Sequence, residues 1–163
     1  MTELLLENEQ DFLPVTDDLT SLIKSVCDTA LSYEECDFDA QISITLTDNK
    51  TIHEINAEHR GIDRPTDVLS FPMLEFDEDG IADSSEFEYD GDFVMLGDIV
   101  ISVEQAIIQA KEFGHGITRE IAFLTAHSML HLLGYDHELS DEDDALMRKK
   151  QNDILNILNI TRE

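Results

Sequence analysis

The order of apolar and polar residues along the chain predicts strands and helices that alternate. Strict alternation of apolar and polar residues is typical of a half-buried strand, whereas apolar residues three and four apart are typical of a helix with one buried face. The segments with strand patterns are residues 3–7, 42–47, 67–71 and 97–101. The segments with helical patterns are residues 16–31, 48–58, 102–113, 117–133 and 140–158. This order predicts one α+β domain over residues 1–163, with a small mixed four-stranded sheet covered by about five helices.

Residues that can cap a helix precede several of these segments. Side-chain oxygens of Ser, Thr and Asp can accept hydrogen bonds from the N–H groups that the first turn of a helix leaves unpaired. The candidates are Thr16 or Asp17, Asp48, Ser102 and Ser140. Ser102 and Gln105 also match a capping box, in which each side chain bonds to the backbone of the other residue.

Composition limits the classes of protein to which the chain can belong. With 163 residues and 42% hydrophobic composition, the chain is long enough to bury one core. Its net charge of −27 repels nucleic acid at long range, so composition alone disfavours an RNA-binding role. A bound cation and a few local arginines can reverse the potential inside a cleft. Residues 148–150 form a basic cluster, which is either a solvated helix face or a contact to phosphate.

The stretch after Pro72 is strongly acidic. Residues 73–93 contain nine Asp or Glu and no Lys or Arg, which predicts a flexible acidic loop over residues 73–95. No apolar segment is long enough to span a bilayer, and the first residues lack the pattern of a signal peptide. Cys27 and Cys36 are too few for a disulfide framework. We therefore expect a cytoplasmic protein that does not associate with a membrane.

Three histidines with the spacing H-x3-H-x5-H predict a metal site. Residues four apart share one face of a helix, so His127 and His131 could reach the same ion. Gly134 can end the helix in a left-handed conformation and turn the chain so that His137 supplies a third ligand. Zinc with three imidazole ligands retains an open position for water, although copper and nickel also favour imidazole. The pattern predicts one catalytic Zn²⁺ per chain, on a helix like the metal helix of the zincins.

The residue between the first two histidines argues against a peptidase. The ligand spacing equals that of H-E-x-x-H-x-x-G-x-x-H zinc peptidases, but Ser128 stands where those enzymes have their general-base glutamate. A hydroxyl group has no useful basicity near neutral pH. Another kind of metal-assisted hydrolysis is therefore the leading hypothesis.

The segment from His127 to His137, H-S-M-L-H-L-L-G-Y-D-H, resembles the signature of the YbeY family. Members of this family are bacterial endoribonucleases specific for single strands. Two further segments match, at residues 60–72 and 96–102, and the resemblance extends from about residue 42 to about residue 137. The chain departs from the family in two respects: Ser128 replaces the usual glycine, and the acidic stretch is longer than the usual connection.

The resemblance implies a zinc-dependent endoribonuclease with an α+β fold. Its expected activity is rRNA maturation, including 16S rRNA 3′-end processing, together with ribosome quality control. The expected partners are single-stranded RNA or rRNA, the ribosome and ribosomal proteins, with neither DNA nor a membrane among them. Two other hypotheses remain open. One is a ribosome-associated binding module in which zinc only fixes the last helices, and the other is a metallopeptidase with an unrecognised base.

The catalytic candidates are Arg60 and the ligand His127. The conserved arginine of the family falls on Arg60, and a guanidinium group can bind two phosphate oxygens at once. A salt bridge to Asp63 or Asp67 is the alternative role for Arg60. No residue is identified as a general base. The 2′-hydroxyl of the substrate, a metal-activated water and an unrecognised carboxylate all remain possible.

Three further residues are candidates for supporting roles. Ser70 and Phe71 end the strand that is predicted to lie under the cleft. Phe71 could stack on a base or pack in the core. Asp136 could orient a histidine ligand or bond within the turn that follows the helix.

Overall fold

Strands and helices alternate along most of the chain, as the sequence predicts. The computed structural model describes residues 2–76, 84–135 and 140–160. The strands in these ranges are β1 (Thr2–Asn8), β2 (Ala40–Thr47), β3 (Val68–Pro72), β4 (Tyr89–Asp90) and β5 (Phe93–Ser102). The α-helices are α1 (Asp17–Tyr33), α2 (Asn49–Arg60), α3 (Val103–Phe113), α4 (Ile117–Leu132) and α5 (Asp141–Ile157). A 3-10 turn spans Ser84–Glu86.

The strands form one mixed sheet with the order β1-β2-β5-β3. β1, β2 and β5 are parallel, and β3 runs antiparallel to β5. β4 pairs antiparallel with the first residues of β5, with Tyr89 opposite Val94. The predicted strands are all present, and β4 adds a fifth to the four expected. The sequence does not reveal β4 because two residues are too few to show an alternating pattern.

The main hydrophobic core lies between one face of the sheet and the helices α1, α4 and α5. Ile99 and Ile101 of β5 belong to this core, whereas Val100 packs on the opposite face with Ile52 and Leu69. The change of face follows from the alternation of side chains along a strand. Because Ile52 belongs to α2, helices cover parts of both faces of the sheet. One mixed sheet packed against five helices in the described residues confirms the predicted α+β class.

Helix α4 is enclosed by its neighbours, since α1, α3, α5 and β3 all pack against it. Its fully buried apolar residues include Ile121, Met129 and Leu130. A helix held on several sides keeps its side chains in fixed orientations, which suits a site that must position ligands. Although α4 is apolar, none of the helices in the described ranges is long and apolar enough to cross a membrane.

Most of the predicted caps form hydrogen bonds to the first turn of their helices. Thr16, and not Asp17, is the N-cap of α1. The acceptor and donor pairs are Thr16 Oγ1 with Leu19 N–H (3.2 Å), Asp48 Oδ1 with Thr51 N–H (2.8 Å) and Ser140 Oγ with Asp143 N–H (3.1 Å). These bonds fix the starts of α1, α2 and α5 close to the predicted positions.

Of the two hydrogen bonds of the capping box predicted at the start of α3, only one forms. Ser102 Oγ accepts the hydrogen bond of Gln105 N–H at 3.2 Å, as predicted. Gln105 Oε1, however, accepts a hydrogen bond from Asn49 Nδ2 at 3.3 Å, and Ser102 N–H donates to Asp67 O at 2.9 Å. The reciprocal bond is absent because α2 and the segment before β3 supply these partners instead.

The acidic stretch that was expected to be a flexible loop over residues 73–95 is partly regular structure. The 3-10 turn, β4 and the beginning of β5 all lie within it, while residues 77–83 lie outside the described residues. β5 begins at Phe93 instead of Gly97 because its first residues pair with both β4 and β2.

Candidate metal centre and its cleft

An open cleft of about 610 Å³ lies between the C-terminal half of α4, strand β3 and the end of α2. Arg60, Ser70, His127 and His131 all line it. These residues come from two distant parts of the sequence, residues 60–70 and 127–131, and packing of β3 and α4 brings them together. The cleft therefore unites most of the candidate residues that the structure describes.

His127 and His131 point their imidazole rings towards each other in the cleft. Their Nε2 atoms are 3.1 Å apart, their ring centroids are 4.6 Å apart, and the ring planes are inclined by 76°. Both side chains are half-buried, because α4 carries them at the edge of its enclosed face. The expected juxtaposition of residues four apart on one helix face is present.

The geometry of the histidine pair fits two ligands of a zinc ion. Two nitrogens bound to zinc at about 2.0–2.1 Å in a tetrahedral arrangement lie roughly 3.3 Å apart. The separation of 3.1 Å between the Nε2 atoms is close to that value. His127 and His131 can therefore supply two neighbouring vertices of a tetrahedral site.

The other predicted residues of the metal site, Asp136 and His137, lie outside the described residues. Within residues 2–76, 84–135 and 140–160, no group of three or more His, Cys, Asp or Glu could hold a metal ion. The three-histidine centre therefore stays a prediction, of which the structure describes the pair on α4.

Gly134 follows the C-cap residue of α4, Leu133, and ends the helix in the way that its position predicts. Its φ is +101°, a conformation that residues with a side chain rarely adopt. A Cβ atom at this position would lie 2.8 Å from Cγ of Phe76, which also lines the cleft. Both the backbone conformation and the close approach of the aromatic ring require glycine here.

A residue that the sequence analysis did not identify contacts the first histidine. The amide of Gln151 on α5 makes a short hydrogen bond to Nδ1 of His127. Gln151 is only 2% exposed and does not line the cleft, so it approaches the imidazole from the protein interior. A signal was present in the sequence, because Gln151 interrupts an apolar helical stripe between Met147 and Leu155.

Arg60 is the last residue of α2, and its exposed side chain lines the cleft. The alternative role considered for it, a salt bridge to Asp63 or Asp67, is not formed among the described residues. Asp63 Oδ1 instead lies 2.8 Å from Nε2 of His53. The guanidinium group is therefore available to an anionic ligand in the cleft.

A partly buried polar network anchors the wall of the cleft at Asp67. The Oδ1 atom of Asp67 accepts a hydrogen bond from Val68 N–H at 2.8 Å, and Oδ2 accepts one from Gln109 Nε2 at 3.3 Å. Gln109 also donates to Glu120, whose other carboxylate oxygen lies 2.6 Å from Nε2 of His115. These bonds hold the carboxylate of Asp67, which lines the cleft, in a fixed orientation.

Ser70 and Phe71 lie on opposite faces of β3. Ser70 lines the cleft, whereas Phe71 packs with Ile52, Leu69 and Val100 and is not part of the cleft lining. The Phe71 ring also contacts His59 edge to face, with centroids 5.6 Å apart. Core packing, one of the two roles considered for Phe71, is the role that the structure shows.

The basic cluster at residues 148–150 is engaged in ion pairs and does not line the cleft. On the exposed side of α5, Arg148 pairs with Asp144 and Lys149 with Asp153. Lys150 pairs with Glu34, at the end of α1. The interpretation as a helix face therefore agrees with the structure better than a contact to phosphate.

Tyr135 is the aromatic residue that follows Gly134 in the cleft wall. Burial, and then a hydrogen bond to Glu34, raise the pKa of its hydroxyl above the ordinary value. Tyr135 is therefore protonated near neutral pH, which argues against its acting as a base.

Ser128 is fully buried, and its Oγ atom has no hydrogen-bond partner among the described residues. It therefore does not face the cleft, although it follows His127 directly. A side chain in this position cannot take the part of a peptidase glutamate, which has to reach a substrate beside the metal.

Comparison with known proteins identifies one family. The family model described as Endoribonuclease YbeY matches residues 5–159. Endoribonuclease YbeY of Clostridioides difficile (strain 630) is 47% identical over 161 residues, which cover 99% of each chain. Endoribonuclease YbeY of Thermoanaerobacter sp. (strain X514) is 46% identical over 160 residues, covering 98% of this chain and 99% of that protein.

A solved structure has a similar fold. The solution structure of TM1509 from Thermotoga maritima matches with a TM-score of 0.57 and 25% sequence identity, covering 94% of this chain and 87% of that one. The similarity in sequence thus extends well beyond the three motifs from which the resemblance was first inferred. On these findings, the chain belongs to the YbeY family.

Proposed function

We propose that the protein is a zinc-dependent endoribonuclease that hydrolyses phosphodiester bonds in single-stranded RNA. The observation that carries this proposal is that Arg60 and the pair His127–His131 line the same cleft. A phosphodiester cleavage site must stabilise negative charge on the phosphoryl oxygens, and a cation next to a guanidinium group can do so. Membership of a family described as Endoribonuclease YbeY supports RNA as the substrate.

The metal would be held by His127 and His131 together with His137. When bound, zinc would supply Lewis acidity and the activation of water near neutral pH. Imidazole ligands are neutral, so they leave the double charge of the ion uncompensated. This local positive charge offsets the repulsion that a chain with a net charge of −27 exerts on RNA.

Arg60 would hold the phosphate group of the substrate. Its side chain is exposed at the end of α2 and makes no ion pair within the described residues, so binding requires no internal bond to break. A planar guanidinium group can donate two parallel hydrogen bonds to two phosphate oxygens. Such a bidentate contact would orient the phosphodiester relative to the histidines.

The aromatic residues in the cleft support a preference for single strands. Phe76 and Tyr135 both line it, on the side where α4 ends. Aromatic rings bind unpaired bases by stacking, and bases in a duplex cannot offer their faces in this way. We infer that one or both rings stack on a base next to the cleaved bond, the role earlier considered for Phe71.

For the biological role, we infer rRNA maturation, including 16S rRNA 3′-end processing, and ribosome quality control in the cytoplasm. Family membership supports this assignment. The acidic surface supports partners among the basic ribosomal proteins, because complementary charge speeds and directs association. Neither DNA nor a membrane is a proposed partner.

An assay on protein purified without an affinity tag tests the proposal. We expect one zinc per chain and cleavage of a single-stranded RNA oligonucleotide, but not of the same oligonucleotide in a duplex. Chelation and His131→Ala should each abolish cleavage, and added zinc should restore it only to the chelated wild type. Undiminished cleavage by metal-free protein would refute the catalytic role of the metal.

The same preparation separates the two other hypotheses. A binding module would carry zinc and associate with ribosomes without cleaving any RNA. A metallopeptidase would degrade casein, an activity that the burial of Ser128 disfavours. Either result would replace the nuclease proposal.

A further inference from the structure

We propose that Gln151 is a positioning residue for His127: when a metal binds, its amide turns to accept a hydrogen bond from Nδ1–H, so that Nε2 of this imidazole presents a lone pair to the metal. The inference rests on the metal centre of the proposed function. Its basis is the short hydrogen bond between the Gln151 amide and Nδ1 of His127, which joins α5 to α4 across 24 positions of sequence. Gln151 acts from behind the ring, since it is buried and does not line the cleft.

The tautomer of His127 decides whether this residue can be a ligand. A neutral imidazole carries its proton on one nitrogen and a lone pair on the other. His127 turns Nε2 towards His131, so coordination in the cleft requires the proton to be on Nδ1. The hydrogen-bond partner of Nδ1 therefore controls the chemistry of Nε2.

The amide of Gln151 is able to stabilise either tautomer, because a half turn of the group exchanges its oxygen and nitrogen. With Oε1 next to His127, the amide accepts a hydrogen bond from Nδ1–H, and Nε2 has the lone pair that a metal needs. In the structure, Nε2 of the amide lies next to Nδ1 of His127, so the amide is placed to donate to Nδ1. In that state Nε2–H of His127 donates to Nε2 of His131, which lies 3.1 Å away. The second arrangement suits the metal-free protein and the first the metal-bound protein.

The surroundings of Gln151 explain why a neutral amide occupies this position. Met147, Ile154 and Leu155 on the same helix are buried apolar residues. A polar side chain among them is destabilising unless its hydrogen bonds are made, and a charged one is more so. Glutamine meets this requirement through His127 without bringing a charge into the core.

Replacement of Gln151 by methionine tests the proposal, because methionine has a similar shape and no group that can direct Nδ1. Zinc affinity is measured by competition with a chromophoric chelator. We expect Gln151→Met to bind zinc about 10- to 100-fold more weakly than the wild type. Gln151→Glu should restore most of the zinc affinity, because its carboxylate accepts the same hydrogen bond from Nδ1–H, although the buried charge should lower the free energy of unfolding. Ile154→Val is the matched control: it loosens the packing of α5 without a polar change and should keep the wild-type affinity.

The tautomer is measured directly by ¹H–¹⁵N correlation spectra of the histidine rings. In the zinc-loaded wild type, His127 should be protonated at Nδ1, whereas Gln151→Met should show a mixture of tautomers before zinc is added. Wild-type zinc affinity in Gln151→Met, or no recovery in Gln151→Glu, would overturn the role of Gln151 while leaving the metal centre intact. If the wild type itself binds no zinc, both the metal centre and this inference fail.

Discussion

Lys150 Nζ lies 2.8 Å from Oε2 of Glu34, in an ion pair that joins α5 to the residue following α1. The same ammonium group lies 4.8 Å from the ring centre of Tyr135 and 5.1 Å from that of Tyr33. The side chains of the pair are only 16% and 13% exposed. Because Tyr135 lines the cleft, this partly buried pair ties one wall of the cleft to two helices.

Replacement of Lys150 by methionine is expected to lower the free energy of unfolding by about 2 kcal/mol. The substitution leaves the Glu34 carboxylate largely shielded from water without its partner, and an unpaired charge in such a place is destabilising. Urea denaturation at neutral pH measures the effect. The double variant Lys150→Met with Glu34→Gln should lose less stability than Lys150→Met alone, and an equal or larger loss would contradict this explanation.

The pKa of Lys150 determines how the stabilisation by this ion pair depends on pH. Burial alone lowers the pKa of Lys150, but hydrogen bonds to Glu34 and Tyr135 and the charge of Glu34 outweigh it and raise the pKa to about 12. Since the pKa is higher in the folded state, the stabilisation is fully present below the pKa of the unfolded chain, near 10.5. It is lost as the pH rises towards 12. The stability difference between wild type and Lys150→Met should therefore shrink between about pH 10.5 and 12.

Replacement of Arg60 by alanine is expected to reduce RNA cleavage about 100-fold, because the transition state loses a charged hydrogen-bond donor. Zinc content and melting temperature should stay unchanged, since the side chain is exposed and makes no ion pair within the described ranges. Arg64→Ala is the control, since Arg64 is a nearby exposed arginine that does not line the cleft. A fall in zinc content together with activity would indicate a structural role for Arg60 instead.

Long periodic segments are the part of the fold that the sequence predicts well. The helical stripe of α1 and the caps Thr16, Asp48 and Ser140 depend on residues a few positions apart, so local patterns reveal them. β4 is different, because its two residues become a strand only by pairing with β5. For a similar reason, the sequence could not decide whether Phe71 stacks on a base or packs in the core. Only the assembled sheet shows which of its faces α2 covers.

In the candidate site too, features that depend on neighbouring residues are predictable and features that depend on tertiary packing are not. The approach of His127 to His131 is a consequence of helix geometry and is visible in the sequence. The apolar stripe of α5 indicates that Gln151 is buried, but its contact with His127 depends on how α5 packs against α4, which no local pattern encodes. The network from Asp67 to His115 joins three separate segments and could not be predicted either. Sequence thus revealed the proposed ligands, while their support required the tertiary structure.

Replacement of Gly134 by alanine is expected to lower the free energy of unfolding by about 2–3 kcal/mol. A side chain is strained at φ +101°, and its Cβ would also lie 2.8 Å from Phe76 Cγ. Gly61→Ala separates the two causes, because Gly61 has φ +68° but a Cβ added there would meet no atom within 4 Å. The control should lose only about 1 kcal/mol. Equal losses in the two variants, measured by urea denaturation, would remove the contact with Phe76 from the explanation.

Zinc is expected to stabilise the wild-type protein against thermal unfolding. A ligand that binds only the folded state adds RT ln(1 + [L]/Kd) to the free energy of unfolding, which is about 2.7 kcal/mol at 100 times Kd. The melting temperature should therefore rise with zinc concentration and fall again after chelation. His131→Ala removes one of the two Nε2 atoms that would bind zinc, so it should abolish most of this shift. Arg60→Ala should show the full shift, because the guanidinium group is not a ligand. Differential scanning calorimetry with and without zinc measures all three proteins. An equal zinc-dependent shift in His131→Ala would mean that the ion binds elsewhere, and the proposed centre on α4 would have to be abandoned.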